Sequence, residues 1–427
     1  MYKQVKVNRE VLGNGENLLI CGSVMKLPDE IRALAGKVQC VYADPPFMTG
    51  DHFDRSRPYG TKGWKTGSPA PKYPAFNDRF MSERQYFRLL NQFVTEAFGL
   101  LSDTGIFYLH LDWRTVARAK IICDKVFGAD LFLNEIIWAY ESGGRSKKTF
   151  SRKHDTILMY ARTKKYRFDI TRVPLDRQSK RKNHMARGID EDGRLYSYIR
   201  SGGKEYRYYD DEPVYPGDVW TDISHLQQRD PERTGYATQK PLKLLERFLL
   251  PVTKPGDAVV DLCCGSGTAL EAAQKLKCRF AGLDLNPEAI ALCRNRLQPK
   301  DLTVICPCGG KAVLLAENDL EAGRFTIGGL EINHPAFPAR TSPMDNLESW
   351  DTGVIRDGVF YTEQSFRRSF RYPELVQSLE KTKGVPEAIM TTDAAGIRRC
   401  FVRKREKNSG NMIGFKQNEE TLAILRR

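Results

Sequence analysis

An acid, two prolines and an aromatic ring, Asp44-Pro45-Pro46-Phe47, follow directly on the apolar run VQCVYA. Asp and Pro are ordinary turn residues, so a surface turn accounts for the first three. It does not account for Phe47, a large ring left at the tip of a strand. A second stretch, DAVVDLCCGSGTALEAAQKLKCRFAGLDLN (257–286), carries a different chemistry. An apolar strand runs into Gly265-Ser266-Gly267 and a helix starts at once. Glycines there let the backbone approach a ligand, and helix N-terminal amides face its polar groups. The next strand ends at Asp284, 23 residues after Asp261, where an acid can accept both hydroxyls of a ribose. The combination implies a nucleoside cofactor and leaves a dinucleotide and S-adenosylmethionine both open. The third glycine of a dinucleotide fingerprint falls at Leu270, which argues against NAD.

Positioning these residues requires strands whose tips meet. Ser82 to Leu101 and Arg114 to Phe127 have helical apolar spacing. IFYLHLD, FLNEIIWAY and DTILMYAR read as strands. KPLKLLERFLLPVT reads as a helix, AVVDL and RFAGLDL as strands, and NPEAIALCRNRL as a helix with Asn286 at its N-cap and Pro287 at its first position. Strands alternating with helices predict a parallel α/β sheet. Residues 49–77, rich in Gly, Pro and polar side chains, read as a long loop.

The 427 residues carry a formal charge of +14. From Gly143 to Tyr209 there are 19 Lys plus Arg against 7 Asp plus Glu, interleaved with tyrosines and phenylalanines. A basic, aromatic segment suits a polyanion. No apolar run approaches the ~18 residues of a membrane span, and the N-terminus lacks a secretory core. A cytoplasmic protein without a membrane partner is therefore expected. The ten cysteines sit in apolar contexts. Cys306 and Cys308 resemble half a metal site, but no second pair at zinc spacing follows, and no metal is expected.

The two stretches together resemble the amino-group DNA methyltransferases. DPPF is similar to their catalytic motif and DLCCGSGT to their S-adenosylmethionine motif. The order, catalytic motif first, resembles the permuted beta group. TGYATQKPLKLLERFL, FNDRF, GDVWTDI and HDTILMYAR also resemble that group, especially adenine-specific enzymes related to type III modification systems. The resemblance covers residues 15–300. It implies a class I S-adenosylmethionine-dependent methyltransferase fold, Rossmann-like, with a mostly parallel twisted sheet. Residues 1–142 and 216–299 would form the catalytic domain, 143–215 an inserted target-recognition region, and 300–427 a C-terminal extension. Three positions depart from the group's pattern: Leu262-Cys263 replace Pro and an aromatic, Met48 replaces Asn, and Gly22-Ser23 replaces Gly-Asp.

The implied reaction is methylation of adenine N6 in double-stranded DNA, with cytosine N4 as the alternative; a DNA-binding module of the same fold without activity is the reading of another class. The exocyclic nitrogen is a poor nucleophile because its lone pair is delocalised. Acceptors at the Asp44 carboxylate and Pro45 carbonyl would draw that pair back, Pro46 would hold the carbonyl, and Phe47 would stack on a flipped base. Asp261 would lie near the methionine end of the cofactor, Gly265, Ser266, Gly267 and Thr268 would form the turn, and Asp284 would take the ribose. Asn286 would cap a helix or neighbour the adenine. By resemblance, Gln239 and Lys240 would flank the methionine carboxylate. Lys147, Lys148, Arg152, Lys153, Lys180, Arg181 and Lys182 would contact DNA, mostly at phosphates. A homodimer and a restriction partner are both compatible with the group.

Overall fold

The structure is a computed structural model. It describes residues 2–56, 72–141, 146–175, 185–227, 230–297, 300–309, 312–319, 324–332, 343–344, 346–367, 375–380, 385–393 and 397–404. At its centre, strands lie in the order Leu302–Ile305, Asn17–Cys21, Arg279–Asp284, Ala258–Asp261, Val38–Ala43, Leu101–Leu111, His154–Ala161 and Phe132–Ala139. The first six are mutually parallel. His154–Ala161 runs antiparallel to both its neighbours. This is the mixed, largely parallel sheet of the class I methyltransferase fold.

The VQCVYA run is buried at every position, as expected for a strand covered on both faces. Its pleat sends Cys40 and Tyr42 into a core with Leu244, Phe248, Ala269 and Ile290. Val41 and Ala43 face the opposite layer with Leu90, Val94, Ala97 and Cys123. The helix Glu83–Leu100 begins where Ser82 accepts a hydrogen bond from the Gln85 amide at 3.2 Å, and Val116–Phe127 ends at Gly128, φ 98°. Each fully buried Val or Leu in these layers contributes about 1.5–3 kcal/mol.

Two features differ from the sequence reading. Residues 49–77 are not wholly irregular: His52–Ser56 pairs with Lys72–Asn77 as an antiparallel ribbon, because cross-strand hydrogen bonding outweighs poor local propensity. The central sheet also continues past Leu302–Ile305. Arg9–Leu12 pairs with that strand, followed by Val359–Arg367, Leu347–Arg356, Ala388–Asp393, Arg398–Arg403 and Tyr2–Val5. Two N-terminal strands, Arg9–Leu12 and Tyr2–Val5, thus flank four strands from the C-terminal region in one sheet.

Candidate active site

The chain order reverses between Val38–Ala43 and Ala258–Asp261. After the first strand the chain crosses to Leu101–Leu111; after the second it crosses the other way to Arg279–Asp284. Such a switch point opens a crevice at the strands' C-terminal ends. Register places Asp261 opposite Tyr42, so Asp44-Pro45-Pro46-Phe47 and the glycine turn leave the sheet side by side. The Asp44 amide donates to Cys263 Sγ at 3.2 Å. Cys263 thus joins the two motifs directly, beside the Leu262 amide, which donates to the Tyr42 carbonyl at 3.2 Å.

Both motifs line one cavity of about 540 Å³. Asp44, Pro45, Pro46 and Phe47 form one wall; Asp261, Gly265, Ser266, Thr268, Asp284 and Asn286 form the other. Gly265 has φ +47°, and a Cβ there would lie 3.1 Å from Tyr236 Cε1. Gly267 has φ +78° and caps the helix Thr268–Lys275. A Cβ on Gly267 would lie 2.8 Å from Cys293 Sγ. Gly267 therefore shapes the turn from behind and is not among the lining residues. Asp284 accepts the Gly265 amide on Oδ2 and the Asn286 amide on Oδ1, both at 2.8 Å. Asn286 Oδ1 accepts the Glu288 amide at 2.9 Å, so it caps the helix Pro287–Leu297 while its residue borders the cavity.

Gln239 and Lys240 go to different places. The Gln239 amide is consumed by its own loop, accepting from Thr234 N and Oγ1 and donating to Glu232 O, each at 2.8 Å. It is not among the lining residues. Lys240 reaches the catalytic-motif wall, where its Nζ donates to Asp44 Oδ2 at 2.7 Å. The same ammonium lies 5.1 Å from the centroid of the Phe47 ring.

Several supporting residues carried no assigned role in the sequence. Met48 has φ 59°, the left-handed region that Asn tolerates far better than other side chains, which explains why the group's pattern has Asn there. Buried Asp78, from FNDRF, holds the strained turn by accepting Met48 N at 2.8 Å and Thr49 N at 2.9 Å. Behind Phe47, Tyr42 Oη meets His110 Nδ1 at 2.9 Å, and His110 Nε2 meets Asp155 Oδ2 at 3.1 Å. The Phe47 and His110 rings stack at 6.1 Å. None of these has a short-range signature: they come from tips of strands distant in the chain.

The electrostatics favour a cation. Four carboxylates, Asp44, Asp78, Asp261 and Asp284, line the cavity against one lysine. Burial, reinforced by Asp44 and Asp284, pushes the Asp261 carboxyl well above its ordinary range despite the hydrogen bond from Cys263 N. Burial also raises Asp284. Unlike Asp261, Lys240 gains charge stability: burial alone would lower its pKa, but Asp44 and Asp155 outweigh it and the net shift is upward.

The basic segment divides in two. Residues 143–185 hold 14 Lys plus Arg against 3 Asp plus Glu; residues 186–212 hold 5 against 7. The second part contains a three-stranded sheet, Ala186–Ile189, Leu195–Ser201 and Lys204–Tyr209. Its arginines are ion-paired internally: Arg194 with Asp211 at 2.8 Å, Arg200 with Glu205 at 3.1 Å, Arg207 with Glu205 at 2.9 Å, and Arg187 with Asp210. In the first part Lys147, Lys148 and Arg152 are exposed and Lys153 is half-buried. The Arg152 guanidinium lies 3.8 Å from the centroid of the Trp113 ring. Trp113 follows the tip of Leu101–Leu111, at the same end of the parallel strands as the cavity. Lys180, Arg181 and Lys182 lie outside the described residues.

Residues 38–295 match the DNA methylase family of N6 and N4 amino-methyltransferases. The chain belongs to that family. Its members use S-adenosylmethionine as the methyl donor and DNA as the substrate. Curated relatives include the type II methyltransferase M.HpaI of Haemophilus parainfluenzae, 24% identical over 65% of this chain and 73% of its own length. Another is the DNA adenine methyltransferase YhdJ of Escherichia coli K12, 25% identical over 67% of this chain and 84% of its own. Among solved structures, the cytosine-N4-specific PvuII DNA methyltransferase superposes with a TM-score of 0.41 at 15% identity, covering 67% of this chain and 88% of that one. No described helix is long and apolar enough to cross a membrane.

Proposed function

We propose that this DNA methyltransferase acts on the exocyclic N6 of an adenine extruded from duplex DNA. The observation that carries the reading is the single cavity shared by the Asp44-to-Phe47 wall and the Gly265 turn. The residues fit the donor: a tight glycine turn at positive φ, where a Cβ on Gly265 would press on Tyr236 of the cavity lining, Asp284 at the neighbouring tip, and an excess of carboxylates suited to a cationic molecule. When bound, S-adenosylmethionine supplies an electrophilic methyl group. The chain's own task is to hold the acceptor amine. Asp44 and the Pro45 carbonyl accept its N–H groups, Phe47 stacks on the base, and the nitrogen that gains the methyl releases one proton to Asp44 and thence to water. Positioning and charge placement supply most of the rate.

An acid opening the catalytic motif, and the adenine enzyme among the relatives, support adenine. The cytosine-N4 reading rests on the same amine chemistry. Methylating mixed DNA with labelled donor and digesting it to nucleosides separates them: N6-methyladenine is expected, and N4-methylcytosine alone would replace the assignment.

Donor binding should depend on pH. Asp261 and Asp284 have raised pKa values, so they ionise at higher pH than ordinary carboxyls. A cation prefers the ionised form, so affinity should rise as pH climbs through the range above about 4. Calorimetric titration at several pH values tests this; affinity that is flat or falls with rising pH would contradict it.

DNA contact is assigned to the first part of the basic segment, with Lys147, Lys148, Arg152 and Lys153 on phosphates. Neutralising all four should weaken DNA binding and reduce the slope of log K against log salt by about 3–4. Changing Arg200 and Arg207, already ion-paired, should leave that slope in place. Equal effects from both sets, measured by fluorescence anisotropy, would refute the division.

A further inference from the structure

We propose that Lys240 is a positioning residue for methyl transfer, one that fixes the Asp44 carboxylate beside the Phe47 ring. This deepens the proposed function and rests on its assignment of Asp44. Three observations point there. The Lys240 side chain is 10% exposed and its ammonium sits 2.7 Å from Asp44 Oδ2. That bond occupies one carboxylate oxygen. Among the described residues Asp44 Oδ1 has no hydrogen-bond partner, which leaves it to accept the amine. The ammonium also lies 5.1 Å from the Phe47 centroid, so one cation fixes both the acid and the ring, the latter by attraction to its π face.

The need for this cation follows from the neighbours. Asp261 and Asp284 share the cavity with Asp44, and each disfavours a further negative charge. Asp155, tied to His110 and through it to Tyr42, faces Lys240 from behind, and the Cys263 thiol lies at the neighbouring tip. Without the ammonium Asp44 would face these carboxylates alone. The ammonium has three donors, so its bond to Asp44 does not exclude a second to a methionine carboxylate; the two roles differ in whether donor affinity depends on Lys240.

The test is the split between kcat and KM for Lys240→Met and Lys240→Arg, beside donor affinity by calorimetry. In Lys240→Met kcat should fall by about 10–100-fold while donor affinity stays within about threefold of wild type. Lys240→Arg, which can keep the contact to Asp44, should recover most of that loss, and it also serves if the methionine variant folds poorly. An unchanged kcat, or donor affinity weakened by about tenfold or more, would overturn the proposal, the latter placing Lys240 on the donor. Asp44→Asn separates the parent reading: if it stays inactive while Lys240→Met keeps wild-type kcat, only this inference falls. If Asp44→Asn retains full activity, the assignment of Asp44 falls with it.

Discussion

Asp44→Ala should lower kcat for methyl transfer by about 10²–10³-fold or more, while donor binding persists. The carboxylate is the group placed to draw the amine's lone pair back onto nitrogen, and that interaction is strongest in the transition state. A loss confined to kcat marks such an interaction. Asp44→Ala also strips Lys240 of its 2.7 Å partner in a buried site, so Asp44→Asn is the companion variant. It preserves shape and hydrogen bonding to Lys240's neighbourhood while removing charge, and the same loss is expected. Rapid-quench measurement of a single turnover checks the chemical step. Wild-type turnover in both variants would remove Asp44 from the reaction.

The second large effect lies away from the cavity. Glu10 is fully buried and accepts hydrogen bonds from Arg294 Nε at 2.9 Å and Thr362 Oγ1 at 2.6 Å, with further contacts from Arg294 Nη2 and Arg398 Nη2. Arg294 also pairs with Asp351 at 2.9 Å. Arg367 faces the same group, and burial beside Arg294 brings its pKa down to about 10. Glu10→Gln leaves three guanidinium groups with Asp351 as their remaining anion in this cluster. Breaking a buried pair in this way costs about 3–5 kcal/mol. Chemical denaturation should show a loss of that size, against little change for exposed Glu16→Gln. A Glu10→Gln protein as stable as wild type would contradict the clamp.

The same network sets an acid limit. Burial would raise the Glu10 pKa, but Arg294 and Arg398 outweigh it and bring it down to about 2. A depressed carboxyl stabilises the fold above its unfolded value, and the contribution is lost as pH falls from the ordinary range near 4.5 toward 2. Arg294 lies on the helix whose first residue, Pro287, borders the cavity. The clamp therefore ties the C-terminal strands to the wall that would hold the donor.

What the sequence shows of this molecule divides along physical lines. Val38–Ala43, Ala258–Asp261 and the helix capped by Asn286 were legible because apolar runs, caps and glycines are local signals. That the DPPF tip and the glycine turn share one cavity was legible only through family resemblance, since parallel pairing of strands far apart in the chain leaves no local mark. The Asp44–Lys240 pair, the Tyr42–His110–Asp155 chain and the Glu10 cluster were not legible. Each is assembled from residues that no spacing rule connects. The basic segment was half legible: its composition marks a polyanion surface, but only cross-strand pairing reveals that the arginines of Leu195–Ser201 and Lys204–Tyr209 are already neutralised.

The most direct measurement is a crystal structure of the protein with sinefungin, a donor analogue carrying an amine in place of the methyl-bearing sulfonium. Its ribose hydroxyls should lie on Asp284, its adenosine along the Gly265 turn, and its amine should face Asp44 and Phe47 across the cavity. An analogue bound at another surface, or seated with its amine turned away from Asp44, would contradict the shared cavity as the place of transfer.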